Sequence, residues 1–122
     1  MLTARIIAES LRPGVELAVP GLRLTRMARV EVPDGSPTQP RIWTLIDVAG
    51  PDEIADELGA ALAEALVDGP DWYADFSTGP DHVIVFPGRI FRYAIGDQEG
   101  RRAAADYGAA LGIPQAQLDW GD

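Results

Sequence analysis

Alternation of apolar and polar positions dominates the first half of the chain. From Thr3 to Glu9, Ala4, Ile6 and Ala8 alternate with Arg5, Ile7 and Glu9, the period-2 pattern of a strand. Pro13-Gly14 and Pro20-Gly21 bracket Val15, Leu17 and Val19, which predicts a second, short strand. From Leu22 to Val32 the even positions Leu22, Leu24, Ala28, Val30 and Val32 are apolar, whereas Arg23, Thr25, Arg29 and Glu31 are not. That is a long strand with one face in water, and the break in its pattern at Arg26 suits a bulge. Pro33 to Pro40 reads as a hairpin tip, and Arg41 to Val48 as the returning strand.

The period then changes to that of a helix. Ile54, Leu58, Ala61, Leu62, Ala65 and Leu66 form an apolar stripe. Pro51 opens it, with Asp52 and Glu53 in the first turn where the helix dipole favours acids. Asp68-Gly69-Pro70 ends it. A second helix is predicted over Gln98 to Leu111, with Asp97 as N-cap and Gly112 as its stop. Its inward side, Ala104, Tyr107, Gly108 and Leu111, is mostly small and predicts a close approach to the sheet. Pro114 to Leu118 suits a last short turn, with Leu118 and Trp120 as anchors.

Between the helices lies WYADFSTGPDHVIVFPGRIFRYAI, residues 72–95, a predicted three-strand meander. Trp72, Ala74 and Phe76 alternate with Tyr73, Asp75 and Ser77. Gly79-Pro80 and Pro87-Gly88 supply the turns. His82 to Phe86 is nearly all apolar, as expected of a central strand covered on both sides. Pairing across both turns sorts the meander into two faces. One carries Trp72, Ala74, Phe76, Val83, Val85, Ile90 and Ala94, with Arg92 as the polar exception; helices are expected to cover it. The other carries three tiers: Tyr73, Phe86 and Arg89; Asp75, Ile84 and Phe91; Ser77, His82 and Tyr93. A one-residue slip in either turn would dissolve these tiers.

Strands first, then a helix, then strands and a helix again, indicate an α+β fold. The expected architecture is one domain with an antiparallel sheet of six to seven strands. Four N-terminal strands, a helix, the meander and a second helix make it up, with both helices on one face.

Composition narrows the chemistry. The chain has no cysteine and no lysine, which removes disulfides, thiolate catalysis and thiolate metal sites, and also P-loop and Schiff-base mechanisms. With no long apolar run and no leader-like segment, the expectation is a cytoplasmic protein. The net charge of −9 is unevenly placed: residues 42–88 contain ten acids and no arginine, whereas residues 1–41 have six arginines against four acids. A strongly acidic middle argues against nucleic acid or an anionic membrane, and fits either a solvated helix or steering of a basic protein partner.

The candidate binding residues are those of the mixed face: Tyr73, Asp75, Ser77, His82, Phe86, Arg89, Phe91 and Tyr93. Hydroxyls, a carboxylate, an imidazole and a guanidinium among apolar side chains are what a pocket or an interface offers. Something is expected to cover this face: the N-terminal strands, a second copy of the chain, or a ligand. Ser77, His82 and Asp75 suggest a nucleophile, base and orienting acid, but no nucleophile-elbow motif accompanies them. Asp71, Asp75 and Asp81 with His82 offer oxygen and nitrogen ligands at no recognised metal spacing. No cofactor motif is present. The expected function is a protein-binding or regulatory module of antitoxin, immunity or adaptor type, as a homodimer or with a basic protein. The alternative is a small-molecule-binding protein or minor enzyme using the mixed face.

Overall fold

A computed structural model describes residues 1–33, 37–118 and 120. It holds one six-stranded sheet and two α-helices. The strands are β1 (Leu2–Ile7), β2 (Arg23–Glu31), β3 (Ile42–Gly50), β4 (Ala74–Ser77), β5 (Asp81–Phe86) and β6 (Arg89–Ala94); the helices are α1 (Ala55–Ala65) and α2 (Gln98–Leu111). The sheet order is β2-β3-β1-β4-β5-β6, and every neighbouring pair is antiparallel. The fold is α+β, as the order of elements predicts. The hairpin tip expected over residues 33–40 lies partly outside the described residues, at positions 34–36.

The local signals act where they were read. In β2 the register moves from Leu24↔Val48 to Arg26↔Asp47, so Thr25 is the extra residue of a bulge, and its hydroxyl donates to Asp47 O at 3.1 Å. Pro51 leads into a 3-10 turn, Asp52–Ile54, before α1 proper begins. Asp97 Oδ1 accepts from the Gly100 N–H at 3.2 Å, and Gly112 ends α2 in the left-handed region at φ +97°. The meander pairs as its two turns require: Ser77↔His82↔Tyr93, Asp75↔Ile84↔Phe91 and Phe86↔Arg89.

Two expectations need correction. The helices lie on opposite faces of the sheet. Leu58 and Leu62 of α1 pack with Leu2, Ile6, Val48, Phe76, Val83 and Val85, whereas Ala104 of α2 packs with Ile84, Phe86 and Tyr93. Residues alternate across a strand, so these two groups of β5 side chains point opposite ways. All four residues from Val83 to Phe86 are at most 2% exposed, which demands a cover on each side. The short strand predicted around Val15 to Val19 does not form. Both edges of β1 are already taken, by β3 and β4. The segment instead crosses the α1 side and plugs that core with Leu11, Leu17, Val19 and Leu22.

Arg92 points to the α1 side, where an apolar residue would be expected. Its guanidinium donates to Asp81 at 2.8 Å and to Asp56 of α1 at 2.8 Å, which satisfies the charge at the rim of the core. Gly88 in the β5–β6 turn donates its N–H to Ala63 O at 3.0 Å and fastens the meander to α1. No helix of the described residues is long and apolar enough to cross a membrane.

Candidate functional site

The meander brings the mixed-face residues together, and α2 then closes over most of them. The cover is neither the N-terminal strands nor a second copy, as had been expected, but the chain's own second helix and C-terminal turn. Two glycines make this possible. A Cβ added at Gly100 would stand 2.4 Å from Tyr93 Cβ, and one at Gly108 would stand 2.6 Å from Leu118 Cδ2 of the C-terminal turn and 3.2 Å from Phe86 Cε1 of the sheet. At Gly100 only a bare backbone can come so near the sheet, and at Gly108 it leaves room for both Leu118 and Phe86.

Under that lid, Phe86 is fully buried, with Tyr73 at 5.7 Å, Phe91 at 5.9 Å and Tyr107 at 5.1 Å between ring centroids. Arg89 lies over the Phe91 ring at 4.8 Å and near Tyr107 at 5.7 Å, its charge facing two aromatic faces. Trp120 Nε1–H donates to Tyr73 Oη at 3.0 Å, while the Tyr73 hydroxyl donates to Gln117 O. Burial of that phenol, the larger effect, holds its pKa above the ordinary tyrosine value despite the bond from Trp120. The aromatic half of the mixed face is therefore a second hydrophobic core.

Its polar half sits at the open margin of this core. His82 Nε2 is 3.0 Å from Asp75 Oδ2, and Nδ1 is 3.0 Å from Tyr93 Oη. Asp75 takes the Nε2 side of the ring and the Tyr93 hydroxyl the Nδ1 side. Both nitrogens are thus engaged, and neither by Ser77. That arrangement orients an imidazole but gives Ser77 no base, so a Ser-His-Asp relay is not assembled. The three carboxylates considered as metal ligands go separate ways: Asp71 accepts from Thr38 Oγ1 at 2.6 Å, Asp75 meets His82, and Asp81 meets Arg92.

What α2 leaves uncovered is the other half of the same sheet face. Between β2 and β4 runs a shallow groove of about 610 Å³, lined by Thr3, Arg5, Arg23, Asp47, Asp75 and Ser77. Asp47 accepts from Arg5 Nε at 2.8 Å and also faces Arg26 at 3.6 Å, so one carboxylate is shared by two guanidiniums. The bonds from Arg5 are the first cause holding the Asp47 pKa below its ordinary value.

Beyond the groove is β2, an edge strand. Leu24 is 55% exposed and Met27 58%, on the α1 side, and Ile42 of β3 is 46% exposed further along. Arg29 stands exposed on the same face, while Arg23 and Arg26 stand exposed on the opposite face of the strand, toward the groove. Sequence reasoning passes over this cluster. The available signal was three arginines at spacing three within an otherwise alternating strand, with apolar residues at positions that no helix stripe is long enough to cover. Compared with protein-family models, curated proteins and solved structures, the chain matches none.

Proposed function

We propose that this chain is a protein-binding or regulatory module of the antitoxin, immunity or adaptor kind, acting in the cytoplasm and contacting its partner through the β2–β3 side of the sheet. One observation carries the reading. The aromatic face is consumed by the fold itself, while Leu24, Met27 and Ile42 remain exposed beside a nine-residue edge strand. Exposed apolar area of that kind with Arg29 beside it, on a strand that carries Arg23 and Arg26 on its other face, is the composition of a contact surface. The acidic middle supports a basic partner less directly, since Asp47, Asp52, Asp56, Asp71, Asp75 and Asp81 are all bonded within the chain. A small-molecule role for the mixed face has less support, because Phe86, Ile84 and Tyr93 are packed beneath α2.

A photo-crosslinking amino acid at position 27, compared with one at position 57 on the outer side of α1, tests this in cells. A discrete adduct of one mass from position 27 alone is expected. Adducts from position 57 alone would move the contact to the acidic helix. No adduct from either position would refute the reading.

A further inference from the structure

Resting on that reading, we infer that β2 binds by strand addition and that its occupant is an extended, acidic segment of the partner. The ladder itself shows which backbone groups are available. Val32 N–H donates to Arg41 O at 2.7 Å, which sets the phase of the β2–β3 ladder. In an antiparallel pair, hydrogen-bonded and non-hydrogen-bonded positions alternate. Val30, Ala28 and Arg26 therefore bond to β3, while the N–H and C=O groups of Glu31, Arg29 and Met27 point away from it. Thr44 confirms the phase: it pairs with Arg29, and its N–H turns to the other side and bonds Glu9 Oε1 at 2.6 Å. The bulge at Thr25 ends the regular edge, so the receptive stretch is residues 26–31.

Side chains select the occupant. β2 carries Arg23, Arg26 and Arg29 against the single acid Glu31. Arg26 has only a share of Asp47, which Arg5 holds more closely, so the edge is left net positive. Two copies of β2 side by side would set six arginines against two glutamates, and like charges on paired strands are destabilising. Arginine on an exposed edge thus discourages a second copy and at the same time attracts an acidic strand. Met27 and Leu24 on one face, with half-buried Ala28 and Val30 on the other, ask for apolar residues between the acids. The fitting segment carries acids opposite Arg26 and Arg29, three residues apart and so one on each face, with apolar residues opposite Met27, Ala28 and Val30. This is β-augmentation, in which the backbone supplies affinity and alternate side chains supply choice.

The experiment uses the full ¹⁵N-labelled chain and two synthetic extended peptides of that pattern, one with glutamates and one with lysines at the two charged positions. The acidic peptide should slow amide exchange at Met27, Arg29 and Glu31, while Ala28 and Val30, already bonded to β3, stay unchanged. Its binding should weaken on adding salt, and the exposed double substitution Arg26→Glu with Arg29→Glu should reduce it at least about tenfold, with an unchanged circular dichroism spectrum. Equal binding of the lysine peptide, protection elsewhere, or no binding at millimolar peptide would overturn the inference. So would protection of the same three amides that grows with protein concentration and needs no peptide, which would put a second copy on the edge. If peptides fail while the crosslinker at position 27 still captures one partner, strand addition is wrong and the protein-binding reading stands.

Discussion

The same substitution, glycine to alanine, should change the stability of this protein in opposite directions in its two helices. Gly100 lies in the first turn of α2, and an added Cβ there would sit 2.4 Å from Tyr93 Cβ and 2.8 Å from its Cγ. Carbon atoms settle at about 3.5–4.0 Å, so the turn must retreat by about 1 Å. It has little room to do so. Tyr93 is fixed by the β5–β6 ladder and its bond to His82, and the helix start is fixed by the Asp97 cap. Overpacking of this kind costs about 1–3 kcal/mol, and the gain in helix propensity, at most about 1 kcal/mol in a helix interior, is smaller so near a terminus. Gly100→Ala should therefore destabilise by about 1–2 kcal/mol. Gly59 in α1 is different: its Cβ would meet Ile90 Cδ1 at 3.6 Å and Phe76 Cζ at 4.0 Å, which is ordinary contact. Gly59→Ala should stabilise by about 0.5–1 kcal/mol through reduced chain entropy. Thermal melts should separate the two variants by on the order of 10 °C for a domain of this size, and urea midpoints should shift without a change in slope. Should Gly100→Ala melt at or above the parent, α2 does not sit where its glycines place it, and the account of the covered face fails.

Three further outcomes follow from the packing and the charges. Trp120→Ala should cost about 3–5 kcal/mol, since the residue is 7% exposed and bonds Tyr73; an unchanged denaturation midpoint would show that the C-terminal turn does not seal the second core. Leu62→Ala, at 0% exposure, should cost about 2–5 kcal/mol by the same assay, and a smaller loss would mean that α1 relaxes into the cavity. Burial, the largest single effect, acts to raise the Glu9 pKa, but the bonds from Thr44 N–H and Oγ1, with a backbone bond from Glu9 itself and the nearby Arg29 charge, together hold the carboxyl below its ordinary 4.5. The unfolded chain then binds the proton first, so this contribution is present above pH 4.5 and is lost as the pH falls through the lower folded value. Glu9→Gln should flatten that acid limb in pH-dependent urea melts, and an unaltered limb would refute the assignment.

The meander was legible in the sequence because its determinants are local. Two tight turns and strict alternation set the pairing of Ser77 with His82 and of Ile84 with Phe91. Asp97 and Gly112 marked the bounds of α2 for the same reason. The placement of the helices depended on a deduction the sequence permitted but did not force. Val83 to Phe86 are apolar at successive positions, so each face of β5 needed its own helix, yet the stripes on the helices do not say which face each takes. The segment containing Leu17 and Val19 alternates without being a strand, because alternation reports which side chains are inward, not whether the backbone pairs with a neighbour; its apolar side chains instead pack over the α1-side core. Of the candidate site, the residue tiers were readable and their cover was not, because α2 reaches them only through the absent side chains of Gly100 and Gly108.

The first strand ties together two pieces that are each built from sequence neighbours. β2 and β3 form one hairpin, and β4 to β6 form one meander; β1 lies between them. Its two seams are unequal, with six paired positions along β3 and only two, Thr3↔Ser77 and Ala4↔Phe76, along β4. Mechanically, the molecule is a small lobe and a larger lobe with β1 belonging to the small one. The short seam has few ladder bonds to resist opening, so cohesion across it falls to the α1-side core that Leu2, Ile6 and Phe76 share and to bonds outside the ladder, such as those of Thr38 and Gln39 with Asp71. Thermal openings of the native state should thus part the sheet there first, while the hairpin and the meander keep their own ladders.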